Sequence, residues 1–456
     1  MTRKEIEQIL LRVKTLEEEN EKLKEENAYL RFELEDLRSK RYKSGRKRPP
    51  DEPDTPMSLP KKIGGLFGHV GWFRKKPERI DRIEELRLTA CPVCGSRDIN
   101  QCKKTQEHIQ EDIILPRVEA VMYKRHYYYC KKCKKVVAPQ GKDEIPGSYI
   151  GPKAKAFANF LRYVVKISER DVKMLFERAF NLKIVPSSIT GFRGQLKKKA
   201  LPAYSKLMEA LRIGPFIHAD ETGWKVDGDN HWLWKFSNKR ICVSHIDKSR
   251  GQNVVDKMIG DKYKGVLISD FLSAYNKIDA KAKQRCLVHI MRDLKKVIEY
   301  WRDDREVLRY CQRLKDILGD AIALHGEYIN RRRDGAYYRR REALTEALKD
   351  FSFPNPNKRI LKRFAKRLMR HKDEILTFLY QKNIDYHNNH AEQQIRPDVI
   401  FRKLTFGNRS PIGAQNHSVI MSVLQTAKLN GIDPIAALEK ILLKSPQNPL
   451  VKALSP

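Results

Sequence analysis

The chain has 456 residues and carries 92 Lys and Arg against 57 Asp and Glu, a formal net charge of +35. At roughly 100–200 residues per domain this length predicts two to four domains. No apolar run approaches the roughly 20 residues that span a bilayer and no segment resembles a signal peptide, while 8 Cys, four of them in Cys-x-x-Cys pairs, argue against a secreted disulfide scaffold. What remains is an intracellular, cytoplasmic protein whose positive excess attracts polyanions, nucleic acid first among them. Ribosome association or a merely basic soluble enzyme are the alternatives.

Residues 1–40 hold 9 basic and 11 acidic side chains, so the rest of the chain carries +37. Ile9, Leu16, Leu23, Leu30 and Leu37 recur every seven residues as position d, with Ile6, Val13, Asn20, Asn27 and Leu34 at position a. This spacing predicts a coiled coil (leucine zipper) over 1–40, and a polar Asn at a favours a two-stranded homodimer. A helix packed on its own protein is the alternative. Residues 41–75 read as a Pro-rich linker of mixed charge followed by the Gly-rich loop Gly64–Gly71. In a module at 76–150, Cys91-Pro-Val-Cys94 and Cys130-Lys-Lys-Cys133 each set two thiolates on one tight turn. Together they complete a tetrahedral site for structural Zn²⁺.

Residues 151–211 are expected to be helical, with Ser168 and Asp171 forming a capping box. A second helix opens at Pro186-Ser187 and ends in Arg193, Lys197, Lys198 and Lys199, which fits either a DNA-binding helix-turn-helix or a plain helical linker. From 212 to 293 the pattern turns to strands: 213–219, 231–236, 241–246 and 265–269, with a helix at 252–259 before the last. That order opens many α/β domains, ribonuclease-H-like ones included. Residues 294–380 return to helix. There Lys358, Arg359, Lys362, Arg363, Lys366 and Arg367 form a basic stripe opposite Leu361, Phe364, Ala365 and Leu368, either a solvated face or a helix that tracks phosphates.

Two acids end apolar strands: Asp220 after Pro-Phe-Ile-His-Ala and Asp270 after Gly-Val-Leu-Ile-Ser. Carboxylates at strand ends suit hard divalent cations, although each taken singly is an ordinary strand-end residue. Many acids downstream could be a third. Glu392 stands out in Asn388-Asn-His-Ala-Glu-Gln-Gln-Ile-Arg-Pro397, where it shares a helix face with Arg396.

These residues carry a resemblance. His218-Ala-Asp-Glu-Thr-Gly-Trp224, Ser269-Asp-Phe-Leu-Ser-Ala-Tyr275 and the Asn388–Pro397 motif are similar to the three acid motifs of the insertion-sequence-66 family of DDE transposases. Thr426–Pro434 is similar to the family's end segment. Gln284-Arg-Cys-Leu-Val-His-Ile-Met-Arg292 resembles the Cys-x-x-His element that follows the second acid in several transposase groups. Zipper, Gly-rich loop, zinc module and catalytic region stand in the family's order.

The resemblance implies an α/β ribonuclease-H-like catalytic domain, with parts at 212–293 and 381–440 separated by a helical insertion at 294–380. A coiled coil, a zinc-ribbon-like module and a helical DNA-binding region precede it, and a tail at 441–456 follows. It implies a DNA transposase in which Asp220, Asp270 and Glu392 hold two Mg²⁺ (or Mn²⁺) ions. Its partners would be double-stranded DNA, as element ends and target, together with accessory transposition proteins, in a bacterial, nucleoid-associated setting. Arg396 either orients Glu392, meets a phosphate or is a plain surface residue; His289 either lies near the scissile phosphate or is structural. Trp224, Trp232 and Trp234 are expected to pack rather than to stack on bases. The competing readings are a dimeric zinc-containing DNA-binding protein without catalysis, and a nuclease on the same fold.

Overall fold

The computed structural model describes residues 3–41, 118–123, 128–130, 135–137, 141, 143–145, 147–352 and 358–443. The linker and Gly-rich loop, Cys91, Cys94 and Cys133, and residues 444–456 lie outside them. The chain divides into two units, Met1–Ser39 with Val118–Pro456 and Lys40–Arg117; the architecture below is that of the first.

A long helix, α1 (Arg3–Arg41), is followed by a short antiparallel pair, β1 (Tyr128–Cys130) and β2 (Lys135–Val137), with Cys130 opposite Lys135. Three helices come next: α2 (Pro152–Phe160), α3 (Glu169–Phe180) and α4 (Pro186–Arg212). The Ser168–Asp171 capping box opens α3, and Pro186 occupies the first turn of α4, where a missing N–H costs nothing. The second helix does not stop at Lys199. It continues to Arg212 because Leu207 and Leu211 are buried against the sheet that follows.

That sheet comprises β3 (Phe216–Val226), β4 (Asp229–Ser237), β5 (Cys242–Asp247), β6 (Lys262–Ser269) and β7 (Asp279–Arg285), in spatial order β5-β4-β3-β6-β7. The first three form an antiparallel meander. Asp227 and Gly228, both at positive φ, make the two-residue turn between β3 and β4 that the right-handed strand twist favours. Helix α5 (Gln252–Ile259) crosses over, and β6 then returns parallel to β3, with β7 parallel to β6. Strand β7 was not expected from the sequence; as an edge strand with only its last residues fully buried, it lacks an apolar run.

Side chains alternate between faces, as strand geometry requires. Ile217, Ala219, Leu267, Trp234 and Phe236 point into a core closed by α5 and the end of α4. Phe216, Val266 and Ile268 face a second core, built by α6 (Leu287–Tyr300), α7 (Arg305–Glu327), α8 (Gly335–Ser352), α9 (Arg359–Arg370), α10 (Lys372–Ile375) and α11 (Thr377–Tyr380). Helices α12 (Asn389–Thr405), α13 (Pro411–Leu429) and α14 (Pro434–Leu442) complete the unit and share a core with α2, α4, Trp224 and Leu233.

Strand β5 ends the sheet, and α13 covers its open edge. Ser418, Ser422 and Thr426 recur every four residues, and their hydroxyls accept the amide hydrogens of Ile246, Ser244 and Cys242 at 3.2, 2.8 and 3.1 Å. A four-residue helical step rises about 6.0 Å and a two-residue strand step about 6.7 Å, so the two ladders stay in register over three rungs. An edge that could recruit another strand is thereby closed within the chain.

The C-terminal half of α1 docks on the helical insertion. Tyr29 is buried, Phe32 lies 5.2 Å from the Tyr300 ring and 4.8 Å from that of Trp301, and Arg359 sits over Tyr29. Glu26 and Glu33 pair with Arg359 and Arg363, each at 2.9 Å, and Asp36 pairs with Lys296. The heptad residues Ile9, Leu16, Leu23, Leu30 and Leu37 are all about half exposed. The helix thus packs on its own protein along one face and leaves its leucine seam open.

Candidate active site

Parallel pairing sets His218 beside Ile268, so β3 and β6 deliver Asp220 and Asp270 to the same end of the sheet. By alternation Asp220 lies on the face of Phe216 and His218, toward α12, and Glu221 on the opposite face. There Glu221 accepts hydrogen bonds from Tyr275 Oη at 3.0 Å and Arg250 Nη2 at 2.9 Å. Asp220 Oδ1 accepts the Glu221 amide hydrogen at 2.9 Å, and Asp270 Oδ1 that of Leu272 at 2.9 Å.

Glu392 stands in the first turn of α12, and Asn388 pins that turn to β3. The Asn388 side chain, almost wholly buried, donates from Nδ2 to the Ala219 carbonyl at 2.7 Å, and its Oδ1 lies 3.2 Å from His218 Nδ1. Its backbone N–H reaches Cys286 Sγ at 3.2 Å, and His390 adds a contact to the Asn238 carbonyl at 2.8 Å. Arg285 does the corresponding work for the second acid. Fully buried, it donates to the Asp270 carbonyl at 2.7 Å and to Asn276 Oδ1 at 2.9 Å, and pairs with Glu374 at 2.6 Å. Burial would raise the pKa of Glu374, but hydrogen bonds and charge from His371 and Arg285 outweigh it and bring the pKa to about 2.

Burial pushes the Asp220 carboxyl up to about 8, with further repulsion from Glu221, Asp270 and Glu392. Glu221 is raised as well, first by burial and then by Asp270, against the pull of Arg250. The buried Asp220 is therefore within electrostatic reach of both Asp270 and Glu392, an arrangement that a bound cation would relieve. Their donor atoms are all carboxylate oxygens, the set that suits Mg²⁺ or Mn²⁺.

The other site residues fall in several places. Arg396 is exposed on α12. His289, in the first turn of α6, is half-buried. Trp224 and Trp234 are buried in the cores, and Trp232 lies under Arg250, whose guanidinium is 4.1 Å from its ring centre. Arg193 joins α4 to α3 through Glu169 at 2.6 Å, Lys197 reaches Gln415 at 3.2 Å, Lys199 donates to the Leu442 carbonyl, and Lys198 is exposed. In the basic stripe, Lys358 pairs with Asp304 at 3.2 Å and Arg367 with Asp293 at 2.8 Å, while Arg359 and Arg363 meet the acids of α1. Lys362 and Lys366 are exposed. Of the four knuckle cysteines, only the backbone of Cys130, at the end of β1, is among the described residues.

Sequence reasoning passed over Glu221, Tyr275, Arg285 and Asn388. All four lie inside the quoted motifs or next to them, but their roles are set by which face of a strand or helix end they occupy.

The fold is thus an α/β sheet flanked by helices, with Asp220 and Asp270 brought to the same end of two neighbouring parallel strands. The comparison with known families is more specific: the model described as "Transposase IS66 family" matches residues 147–416. The chain belongs to that family of transposases. Two proteins of Sinorhizobium fredii (strain NBRC 101917 / NGR234) are similar over most of its length. "Uncharacterized protein y4hP" is 20% identical over 430 residues, covering 83% of this chain and 76% of the relative. "Uncharacterized protein y4qI" is 22% identical over 431 residues, covering 86% and 76%. Among the described residues no helix is long and apolar enough to cross a membrane.

Proposed function

We propose that this transposase cuts and joins DNA strands at the ends of its own element, with Asp220, Asp270 and Glu392 as the catalytic acids. The observation that carries this reading is the convergence of carboxylates from β3, β6 and α12: Asp220 and Asp270 stand at the same end of neighbouring parallel strands, and Asp220, raised first by burial, also feels the charge of Asp270 and Glu392. The sheet order, an antiparallel meander with two parallel strands added beside its first member, supports a ribonuclease-H-like core.

Asp220, Asp270 and Glu392 would hold two Mg²⁺ (or Mn²⁺) ions, which when bound supply activation of the attacking oxygen and charge for the leaving one. The chain's own part is placement. Asn388 fixes the first turn of α12 against the Asp220 strand, and Arg285 fixes the backbone of Asp270. Arg250, its guanidinium held between Glu221 and Trp232 and half exposed, and the exposed Arg396 offer positive charge for backbone phosphates.

Lys198, Lys362 and Lys366 are exposed candidates for phosphate contact farther out, along with Arg193, Lys197, Lys199, Lys358 and Arg367 once their present partners yield. Arg359 and Arg363 join them when α1 gives up its carboxylates. The open leucine seam of α1 supports a coiled-coil homodimer. Cys91, Cys94, Cys130 and Cys133 would hold a structural Zn²⁺. Accessory transposition proteins and a nucleoid-associated, cytoplasmic location complete the reading.

Asp220→Asn is expected to abolish Mg²⁺- or Mn²⁺-dependent nicking of element-end DNA while leaving DNA binding intact. An unsubstituted protein that binds such ends but never cuts them with either ion would sink the enzymatic reading and leave a DNA-binding protein. Cutting without end specificity or joining would instead make it a nuclease.

A further inference from the structure

Cys286 and His289, which the two-ion reading does not use, form a cluster with Glu392. Cys286 caps α6, His289 follows on the same turn with its amide donating to the Cys286 carbonyl at 3.2 Å, and Glu392 faces them from the first turn of α12. One ligand atom from each residue lies within 4.8 Å of the others. Among the described residues, His289 Nδ1 and Glu392 Oε1 are both shielded from solvent with no hydrogen-bond partner. Leaving such atoms unsatisfied costs about 1–3 kcal/mol each, so two of them in one cluster ask for an occupant. The Asn388 N–H on Cys286 Sγ ties the sulfur to the loop that opens α12.

We propose that Cys286, His289 and Glu392 bind one divalent ion of the zinc class, with a fourth position left open. Sulfur, imidazole and carboxylate together are the donor set of a borderline-soft cation, whereas Mg²⁺ takes oxygen. The site is therefore chemically distinct from the all-carboxylate end at Asp220 and Asp270. Bonds of about 2.0–2.3 Å set tetrahedral donors roughly 3.3–3.8 Å apart, a spacing that atoms within 4.8 Å of one another reach by small side-chain rotations. One Glu392 oxygen on this ion leaves the other for the Asp220 side. Cys286 and His289 then act as positioning residues, holding the third acid from behind. The proposal deepens the reading of Glu392 as a catalytic acid, but its test uses no DNA and stands apart from strand cleavage.

Metal content of the full-length chain is measured by mass spectrometry after dialysis against zinc-limited buffer. Cys286→Ser and His289→Ala are each expected to hold one zinc per chain fewer than the unsubstituted protein. Asp220→Asn is expected to keep the full content, and His289→Cys, which replaces one soft donor by another, to keep it too. In cobalt-substituted protein, Cys286→Ser should lose part of the sulfur-to-cobalt absorption while the remainder, from other cysteines, persists. Equal zinc and equal cobalt spectra in the unsubstituted, Cys286→Ser and His289→Ala proteins overturn the proposal. If Cys286→Ser does not fold, the two His289 variants decide: loss in Ala with retention in Cys supports the site, and retention in both overturns it. Zinc counts that follow this pattern in a protein that never cleaves DNA would uphold the ion site and remove the transposition chemistry.

Discussion

At the scale of the residue, the site depends on a few buried polar side chains that hold others in place. Asn388 is the clearest case, since its amide group spans the gap between the helix bearing Glu392 and the strand bearing Asp220. Asn388→Ala would strip the Ala219 carbonyl and His218 of a partner, a loss of about 1–3 kcal/mol. It would also free the first turn of α12 to shift, and displacement of a catalytic group by an ångström costs rates heavily. Metal-dependent cleavage by Asn388→Ala is expected to fall at least roughly tenfold, with end-binding affinity unchanged, as read by parallel nicking and gel-shift titrations. Strand ends mark Asp220 and Asp270 as candidates, and a helix face shared with Arg396 marks Glu392, but it is the resemblance to three acid motifs that singles these residues out among many acids. No such pattern marks Asn388 or Arg285. Their meaning lies in which carbonyls they reach across 169 and 15 residues of chain, and no local spacing encodes that.

At the scale of the element, α1 docks through one face and leaves another, the leucine seam, exposed. Tyr29, Phe32, Glu25, Glu26, Glu33 and Asp36 lie off the a/d seam, and this outer face meets α6 and α9. The seam was legible because Leu every seven residues is a strong periodic signal. The docking face was not, because two aromatics among Glu and Lys read as an exposed surface. Docking and zippering use different faces and are compatible. Carboxylates from α1 now occupy Arg359 and Arg363, and DNA phosphates would compete for the same guanidinium groups. Phe32→Ala removes the aromatic contact that seats the helix. In that variant residues 25–36 should exchange amide hydrogens faster, while the sedimentation mass stays that of the unsubstituted protein. DNA binding should become more salt-dependent, its log–log slope steepening by about 2 as roughly 0.9 is added per released arginine. An unchanged slope alongside faster exchange would show that the stripe does not meet DNA.

At the scale of the whole molecule, the C-terminal helices are fastened to the sheet through a buried charge. Lys235 on β4, with no exposed surface, donates to Asp398 Oδ2 at 2.7 Å, Ser244 Oγ at 2.6 Å and Gln425 Oε1 at 2.6 Å. The same network therefore joins β4, β5, α12 and α13, and α12 carries Glu392. His417 completes it, with Nε2 2.8 Å from Asp398 Oδ1. Facing a carboxylate, that nitrogen must donate. Burial holds His417 below its ordinary pKa, and its Nδ1, buried without a partner among the described residues, fits the neutral ring with no second N–H to satisfy. Burial by itself would raise Asp398, but Lys235 and His417 outweigh it and bring its pKa to about 2. A carboxyl held below its unfolded value of about 4 adds stability that is fully present above pH 4 and is lost as the pH falls toward 2. Asp398→Asn would leave the Lys235 ammonium buried without its counter-charge, a loss of about 3–5 kcal/mol at neutral pH. Thermal unfolding from pH 7 down to pH 2 measures both effects: the variant should melt lower at pH 7, and the gap to the unsubstituted protein should narrow between pH 4 and pH 2. A gap that persists unchanged at pH 2 would mean that Asp398 acts through packing and not through charge.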